Sequence, residues 1–340
     1  MSFTITLLSL FILFLLNKKY GFGSDYLVGE QKFHYHSVAR TGGIAIFIGF
    51  FAGLYFENLD HINELFFPSL MLFIFTLVED INGNLKPSTR FFLILLASSI
   101  LVLFSNISIQ NLEFQILNFI TENPAINIIF TVLTISLVVN SYNIIDGFNG
   151  LVAGFCLIVL GSIIYLGINS PDIESLKFID LFFWSVLAFF VLNFPFGKIF
   201  LGDSGAYFIG FITSYALISF VNLNPSISSW FALSTLMYPV FEVVFSIVRK
   251  KFFFGTRSFQ PDQYHLHMLI YRNLINCKLF NRQEYCNSLT SIFLWVLSLT
   301  TVIPSIIWFD NSIALFIVCV SFMLFYIVFY ILIYRKDIRK

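Results

Sequence analysis

Charged residues are scarce in this chain of 340 residues, where lysine, arginine, aspartate and glutamate together make up 11%. Soluble globular proteins have about 25%. The shortage excludes a disordered chain, a nucleic-acid-binding protein and an ordinary cytosolic enzyme. Cysteine is rare too, and Cys156, Cys277, Cys286 and Cys319 form no CxxC pair. We therefore expect neither a disulfide framework nor a zinc site.

Hydrophobic residues take the place of the missing charges. They make up 58% of the chain, phenylalanine alone contributes 46 residues, and the mean hydropathy is +0.87. Because a transmembrane helix needs about 20 largely apolar residues, the sequence predicts an all-α integral membrane protein with one polytopic domain over residues 1–340. The eleven predicted spans are 2–16, 42–56, 65–78, 91–104, 125–143, 151–168, 178–194, 206–222, 229–248, 291–308 and 312–334.

The charges that remain are divided unevenly between the predicted loops. Eighteen of the 19 basic residues follow odd-numbered spans or lie in the C-terminal tail, and only Lys177 lies on the other side. The positive-inside rule therefore places the N-terminus outside and the C-terminus in the cytoplasm. Lys18 and Lys19 directly follow the first span, which predicts a retained anchor rather than a cleaved signal peptide. The predicted cytoplasmic loops are 17–43, 79–90, 140–150, 195–205 and 249–290.

Four polar segments stand out, and all of them lie at predicted cytoplasmic span ends or in cytoplasmic loops. The first is Glu79-Asp80, followed by Lys86 and Arg90. An acidic pair at a helix end is commonly a solvated flank, but the macrodipole disfavours anions at a C-terminal end by about 0.3–1 kcal/mol. A divalent cation or a nearby base would offset that cost.

The second polar segment is NSYNIIDGFNGL, which begins at Asn140. Asn140, Asn143 and Asp146 are three residues apart, so they share one face of a helix. Gly147 and Gly150 fit the end of a helix, but a helix end does not explain the two amides and the carboxylate. Because a central aspartate costs about 2.5–3.5 kcal/mol in a membrane helix, we interpret the group as functional.

The third polar segment, FLGDSGAYFIG, places Asp203 and Ser204 where the eighth span begins. Both residue types are favoured at the N-cap of a helix. A helix N-terminus with glycine-flanked backbone N–H groups also suits a phosphate. Asp203 is then a candidate ligand for a metal that bridges to that phosphate.

The fourth polar segment, RSFQPDQYHLHM, contains Arg257, Asp262, His265 and His267 in the long basic loop. Histidines two residues apart do not share a helix face, so they are not a helical zinc pair. An HxH pattern alone more commonly has no function, whereas together with Arg257 and Asp262 it is suited to cradle a diphosphate. Glu242, inside the ninth span, fits either a structural hydrogen bond or a role in a site.

Together these segments indicate phosphoryl transfer at the membrane surface. The apolar body predicts a lipid substrate, carboxylates with amides suggest Mg²⁺, and the basic loop predicts an anionic partner from the cytoplasm. Two like unit charges about 4 Å apart repel by about 4 kcal/mol at an effective dielectric constant near 20. A metal with positioned basic groups would offset such repulsion between two phosphorylated substrates.

In this order, the segments resemble the motifs of the polyprenyl-phosphate N-acetylhexosamine-1-phosphate transferases over nearly the whole chain. YHSVARTGG, which ends at Gly43, resembles the first-loop motif of that family. Glu79-Asp80 stands where the family has an Asp-Asp pair, and the other three segments resemble further family motifs. Eleven spans with an external N-terminus match the branch of the family that does not make peptidoglycan.

The resemblance implies a reaction. Undecaprenyl phosphate attacks the β-phosphate of a UDP-N-acetyl sugar, UMP leaves, and a polyprenyl-diphosphate sugar forms that begins an O-antigen or similar polysaccharide. The resemblance further implies Mg²⁺, with Mn²⁺ as the alternative, and a bacterial inner membrane with the active site on its cytoplasmic side. It does not identify the sugar of the donor, and it does not decide whether the protein forms a homodimer. It also leaves open whether the reaction is a single displacement or proceeds through a covalent aspartyl intermediate.

The resemblance also implies roles for individual residues. The predicted metal ligands are Asp203 and Asp146. The predicted catalytic residues are Glu79, Asp80 and Asp146, of which Asp80 with Glu79 would activate or position the lipid phosphate. The predicted substrate-binding residues are Asn140, Asn143, Asn149, Lys86, Arg257, His265 and His267.

The chain departs from the family pattern at three positions. Glu79 replaces the first aspartate of the pair, Met268 replaces the last histidine of a His-x-His-His ending, and Ala39 replaces a proline. Methionine neither donates a hydrogen bond nor accepts a proton. The contact that the last histidine of this ending would make is therefore expected to be lost. Because Asp146 and Asp203 are in place, we expect an active enzyme.

A membrane transporter or a lipid-linked sugar flippase is the main alternative. A transporter would place its polar groups near the bilayer midplane, often on broken helices, whereas here they cluster at one predicted face. A structural subunit would not need acidic, amide and histidine motifs on one side, and a polysaccharide polymerase would be expected to have its large loop outside.

Overall fold

The fold is described from a computed structural model, for residues 1–21, 23, 38–82, 86–168, 173–251, 263–276 and 283–338. These residues form fourteen α-helices and no β-strand, which confirms the all-α prediction for them. The helices are α1 Ser2–Tyr20, α2 Gly42–Phe56, α3 His61–Asn82, α4 Pro87–Ser105, α5 Asn118–Glu122, α6 Pro124–Ile145, α7 Leu151–Gly167, α8 Ile173–Asn193, α9 Asp203–Leu223, α10 Ser229–Thr235, α11 Met237–Arg249, α12 Leu266–Asn276, α13 Gln283–Ile307 and α14 Ser312–Ile338.

Most of these helices are suited to a membrane. Within the described ranges, eight are long and apolar enough to cross one, namely α1, α3, α4, α6, α8, α9, α13 and α14. The pair α10 and α11 would make a ninth span, bent by 71°. The shorter apolar helices α2 and α7 have 15 and 17 residues. Each predicted span thus coincides with an apolar helix or with the bent pair, and the number of membrane crossings stays a prediction.

The ninth predicted span, residues 229–248, is not one continuous helix. It is divided into α10 and α11 at Leu236, whose φ is −92° and ψ is 7°. Pro239 lies in the first turn of α11 and has no N–H to donate to the carbonyl of Thr235. A hydropathy profile does not register this missing hydrogen bond, so the sequence predicts the apolar length but not the break.

Several helices extend beyond the predicted apolar runs. α3 begins at His61 rather than at 65, and α13 begins at Gln283 rather than at 291. The predicted loop 140–150 begins only after Ile145, and the predicted loop 249–290 contains the whole of α12. Polar or amphipathic turns can continue a helix outside an apolar layer. Hydropathy therefore marks the apolar part of each helix rather than its ends.

The central helix of the bundle is α9. Seventeen of its 21 residues are buried, because α2, α3, α6 and α7 all pack against it. Gly210 lies so close to α6 that a Cβ atom there would be 2.9 Å from the Cα atom of Val139. Since α9 begins at Asp203, this packing fixes the position of the predicted metal ligand at its first turn.

Candidate active site

Two segments far apart in the sequence pair beside the N-terminus of α9. The N–H of Phe200 donates to the carbonyl of Ala39 at 2.8 Å, and the N–H of Gly42 donates back to the carbonyl of Phe200 at 2.9 Å. The N–H of Gly43 donates to the carbonyl of Leu201, also at 2.9 Å. The first-loop segment and the segment before Asp203 therefore form one unit, which the sequence does not reveal.

Glycine is required where these two segments meet. A Cβ atom on Gly43 would lie 2.4 Å from the Cα atom of Gly205, and backbone is less able to yield than a side chain. We expect Gly43→Ala to lower the free energy of unfolding by about 1–3 kcal/mol through overpacking, as measured by thermal unfolding in detergent. Gly161→Ala in α7 is the matched control, because a Cβ atom there meets no atom within 4 Å. Equal unfolding midpoints for both variants would contradict the close approach.

Asp80 joins the last turn of α3 to the first turn of α9. Its Oδ1 accepts the backbone N–H of Asp203 at 3.0 Å, and its Oδ2 accepts the backbone N–H of Ser204 at 3.0 Å and the Ser204 hydroxyl at 2.7 Å. The first N–H groups of a helix have no partner within the helix and favour an anion. Asp80, whose side chain is 4% exposed, therefore caps α9 and holds Asp203 in place.

Two arginines lie beside these carboxylates. Arg40 Nη1 is 3.8 Å from Asp80 Oδ1, and Arg90 Nη1 is 3.6 Å from Asp203 Oδ2. The side chains of Arg40, Arg90 and Asp203 are 29–32% exposed. The site thus carries both signs of charge, and its guanidinium groups are accessible to an anionic ligand.

An open pocket of about 680 Å³, counting its mouth, lies between the N-terminus of α9 and the turn that follows α6. Its polar lining includes Arg40, Asp146, Asn149, Asp203 and Asn287. Asp146 and Asn149 come from the second polar segment, and Asp203 comes from the third. The structure therefore brings residues from both segments to one cavity.

The carboxylates around this pocket affect one another. Burial and then the charge of Asp203 raise the pKa of Asp146 to about 8, while Arg40 opposes the rise and Asp80 adds to it. Burial and the charge of Asp203 also raise the pKa of Asp80, although its hydrogen bonds from Ser204 and Asp203 lower it. Burial is the main cause of both shifts and the charge of Asp203 adds to it, so a cation in the pocket would stabilise the ionised forms of both carboxylates.

The donor set fits Mg²⁺ that keeps part of its coordination for water and substrate. In the described part of the chain, no three His, Cys, Asp or Glu side chains lie together so that they could hold a metal ion alone. Asp146 and Asp203 line the pocket, whereas Asp80 is engaged as the helix cap. Mg²⁺ usually takes one or two carboxylates together with substrate phosphates. Two carboxylates therefore suit Mg²⁺ and would not suffice for structural zinc.

Side-chain amides hold the turn that presents Asp146. The N–H of Asn149 donates to Oδ1 of Asn287 at 2.8 Å, and the N–H of Gly150 donates to Oδ1 of Asn193 at 2.5 Å. The Nδ2 of Asn149 donates to a backbone carbonyl at 3.0 Å. Asn149 therefore helps to hold the turn, and its contact with a nucleotide stays a prediction.

The two histidines of the fourth segment lie against the same turn. The ring of His267 meets the ring of Phe148 edge to face, with centroids 5.7 Å apart, and a Cβ atom on Gly147 would be 3.8 Å from His267 Nε2. The ring of His265 lies parallel to that of His267, with centroids 5.4 Å apart. Both histidines are buried. The HxH pair therefore supports the turn directly after Asp146.

The described part of the structure does not place the other predicted site residues in the pocket. Lys86 is exposed at the N-cap of α4. Asn140 and Asn143 belong to the last turns of α6, and neither is among the described residues that line the pocket. Glu79 belongs to the last turn of α3, but its side chain lies outside the described structure, as does the whole of Arg257. The roles of these five residues stay predictions.

The structure adds Arg40, Arg90, Asn193 and Asn287 to the predicted site. Arg40 lies within the first-loop segment, and Arg90 belongs with Lys86 to the basic residues that follow Glu79-Asp80, so the sequence offered a signal for both. Asn193 and Asn287 reach the turn across 43 and 138 residues of sequence. No local pattern signals such distant partners.

Known sequences connect this site to a family. The profile described as glycosyl transferase family 4 matches residues 63–221, a range that contains Asp80, Asp146 and Asp203. An undecaprenyl-phosphate alpha-N-acetylglucosaminyl 1-phosphate transferase of Thermotoga maritima is 30% identical over 245 residues, which cover 72% of this chain and 72% of that protein. The chain belongs to this family of polyprenyl-phosphate N-acetylhexosamine-1-phosphate transferases. The predicted resemblance is confirmed.

Other members of the transferase family have similar coverage. A probable undecaprenyl-phosphate N-acetylglucosaminyl 1-phosphate transferase of Bacillus subtilis is 28% identical over 245 residues, covering 70% of this chain and 67% of that protein. A decaprenyl-phosphate N-acetylglucosaminephosphotransferase of Mycobacterium leprae is 25% identical over 278 residues, covering 70% and 67%. The first-loop segment and the HxH pair lie outside the family profile, yet both contact parts of the site that lie within it.

Proposed function

We propose that this transferase-family protein moves an N-acetylhexosamine-1-phosphate from a UDP-sugar to undecaprenyl phosphate and releases UMP. The pocket that holds Asp146 and Asp203 beside Arg40 is the observation that carries the proposal. The names of the relatives, which describe N-acetylglucosaminyl 1-phosphate transfer to undecaprenyl or decaprenyl phosphate, support the same class of reaction. The apolar helices supply the membrane setting that a lipid acceptor needs.

The proposed step exchanges one phosphorus–oxygen bond for another. A phosphate oxygen of the lipid forms a bond to the β-phosphorus of the donor. The bond from that phosphorus to the bridging oxygen breaks, and UMP leaves with the electron pair. No proton or redox partner is needed when the attacking phosphate oxygen is already ionised.

The chain's own residues would bind and orient the two phosphorylated substrates. Asp146 and Asp203 would hold Mg²⁺, with Mn²⁺ as the alternative, and the metal would supply neutralisation of phosphate charge. Arg40 and Arg90 would add positive charge beside them. Asp80 would hold Asp203 at the first turn of α9, which restricts the ligand to one position relative to the pocket.

The further predicted contacts belong to the same proposal. Glu79 and Lys86 would meet the lipid phosphate, and the asparagines of the second segment would meet the nucleotide. The HxH pair with Arg257 would meet the donor diphosphate or the sugar. The product would begin an O-antigen or similar polysaccharide at the inner membrane, and a homodimer is compatible with this chemistry.

UMP release tests the proposed function. Purified protein is incubated with undecaprenyl phosphate, Mg²⁺ and a panel of UDP-N-acetyl sugars, with lipid and metal each omitted in parallel. Release that requires lipid, metal and one sugar would support the transferase and identify its donor. No release from a folded protein across a broad panel of donors and lipids, beside an active control enzyme, would exclude the proposal and favour a transporter.

The cytoplasmic location of the site makes a separate prediction about labelling in intact cells. Gln263 and Glu57 are both exposed, on sides of the membrane that the charge asymmetry predicts to be opposite. In a Cys277→Ser background, where Cys156, Cys286 and Cys319 are buried, an impermeant maleimide is expected to label Glu57→Cys at once. Gln263→Cys should be labelled only after permeabilisation. The reverse pattern would overturn the orientation and the use of a cytosolic donor.

A further inference from the structure

Glu242 is a buried carboxylate that the proposed chemistry does not use. It lies in α11 and is 1% exposed, in a helix that is otherwise largely apolar on the same stretch. Its Oε1 is 2.9 Å from His265 Nδ1 and accepts the backbone N–H of Leu266 at 3.1 Å. Its Oε2 accepts the hydroxyl of Tyr326 on α14. A buried carboxylate is costly unless it is hydrogen-bonded, and these three donors supply its partners.

This geometry selects one tautomer of His265. The backbone N–H of Leu266 can only donate, so Oε1 of Glu242 is an acceptor. An ionised carboxylate has no proton of its own to donate, so Nδ1 of His265 carries the proton in the hydrogen bond to Oε1. The carboxylate thereby fixes the orientation of the imidazole ring.

A continuous set of contacts leads from Glu242 to the pocket. The ring of His265 is parallel to that of His267, at an angle of 2° between the planes. His267 in turn packs against Phe148 and beside Gly147, the residue after Asp146. A change in the orientation of His265 would therefore reach the turn that presents the predicted metal ligand.

The last helix of the chain holds this arrangement in place. Tyr330 on α14 donates to the carbonyl of Tyr264 at 2.9 Å, and Arg249 donates to the same carbonyl at 2.6 Å. Arg272 on α12 forms an ion pair of 2.9 Å with Asp337 on α14. α14 thus holds Tyr264, which precedes His265, and Glu242, which binds His265. It also holds α12, the helix that follows His265.

We propose that Glu242 is a positioning residue of the active site, which acts through its hydrogen bond to His265 and is itself held by Tyr326. The proposal rests on the proposed function, because UMP release is its main readout. If the same hydrogen bonds had a purely structural role, their loss would lower the free energy of unfolding without changing kcat/KM of the folded protein. The experiment therefore has to separate the two.

Two substitutions of similar volume test the hydrogen bond. Glu242→Gln keeps a carbonyl oxygen for His265 Nδ1 and Leu266, and its amide can donate to the Tyr326 oxygen. Glu242→Leu keeps the volume but accepts no hydrogen bond. Loss of a group that orients a metal-ligating histidine typically costs about 10–100-fold in metal affinity or activity, and we expect a comparable cost for a histidine that supports the turn after Asp146. We expect kcat/KM for UMP release to fall about 10–100-fold in Glu242→Leu and to stay within about threefold of the unmodified protein in Glu242→Gln.

A double-mutant cycle separates positioning from a structural role. If Glu242 acts through His265, Glu242→Leu should change kcat/KM by less than about twofold in a His265→Ala background, because interacting residues are not additive. The same tenfold or larger loss in both backgrounds would overturn the proposal, and so would full activity of Glu242→Leu. All rates are measured at least about 20 °C below the unfolding midpoint of each variant. Several kcal/mol of destabilisation shift the midpoint by about that much, so every variant is still folded when its rate is measured.

Histidine ¹⁵N NMR reads the tautomer independently of turnover. The Nδ1–H signal of His265, assigned by its absence in His265→Ala, should persist in Glu242→Gln and disappear in Glu242→Leu. Its persistence in Glu242→Leu would overturn the proposal even where the double variant has no measurable turnover. Failure of the proposed function is distinguishable, because it would appear as the absence of UMP release in the unmodified protein.

Tyrosine variants on α14 supply a matched pair. Tyr326→Phe removes one hydroxyl that donates to Glu242, and we expect a fall of about three- to tenfold in kcat/KM, corresponding to one hydrogen bond. Tyr334→Phe makes the same chemical change two turns further along α14, where the hydroxyl makes none of the hydrogen bonds to Glu242. Equal effects of the two variants would contradict the role assigned to Tyr326.

Discussion

Asp203→Asn is expected to lower UMP release by about a thousandfold or more, the scale on which removal of a group that stabilises phosphate charge acts. Asparagine keeps the size of the side chain but removes the negative charge that would hold Mg²⁺. The hydrogen bond from Asp203 to Asp80 is made by the backbone N–H, so this substitution leaves the cap of α9 in place. The unfolding midpoint should therefore remain close to that of the unmodified protein.

Asp310→Asn provides the matched control for this variant. Asp310 is exposed just before α14 and on the opposite predicted side of the membrane from the site, so the same chemical change there should leave UMP release unaltered. Activity of Asp203→Asn within tenfold of the unmodified protein would remove Asp203 from the set of metal ligands.

Asp80→Asn is expected to affect both stability and activity. One amide oxygen can replace only one carboxylate oxygen, and the amide nitrogen would face the backbone N–H of Ser204, which would lose its acceptor. An unsatisfied buried donor costs about 1–3 kcal/mol. Because a displacement of about 1 Å at a catalytic group can cost about 100-fold in rate, we expect a loss of that order or greater. UMP release and thermal unfolding in detergent measure the two effects.

Ser204→Ala tests whether Asp80 acts as the helix cap. It removes only the hydroxyl bond of 2.7 Å and leaves both backbone N–H bonds to Asp80 intact. We expect about 0.5–1.5 kcal/mol of destabilisation and activity within about tenfold of the unmodified protein. Loss of activity in Asp80→Asn without any loss of stability would contradict positioning through α9 and would favour direct contact between Asp80 and the lipid phosphate.

Hydropathy predicts much of the helical fold, because a membrane allows few backbone structures to span it. A segment that spans lipid must satisfy its own backbone hydrogen bonds, so an apolar run of sufficient length becomes a helix. The prediction fails where the cause is not apolar length, as at Pro239, which divides α10 from α11, and in α12, whose polar residues hide it in the predicted loop 249–290.

The sequence predicts which residues belong to the site, but it does not predict which residues they contact. Aspartates, amides and histidines are conspicuous among apolar residues, which is why Asp146, Asn149 and Asp203 could be chosen before their common pocket was known. Nothing in the sequence indicates that Asp80 is bound to the first turn of α9, 123 residues away. Likewise Glu242 was ambiguous from sequence, since its partner His265 is 23 residues away and beyond the end of its own helix.

The pairing of residues 39–43 with 200–201 has a consequence for biosynthesis. Ribosomes add about 5–20 residues per second, so the two segments, separated by about 160 residues, are made roughly 8–30 seconds apart. During that interval the N–H groups of Gly42 and Gly43 are without the carbonyls of Phe200 and Leu201, which have yet to be synthesised. A nascent chain that stopped before α9 would contain α1 to α8 and the carboxylates Asp80 and Asp146, but it would have neither the cap nor the pocket. The synthesis and insertion of α9, after the first eight helices, therefore set the earliest point at which the enzyme can acquire its active site.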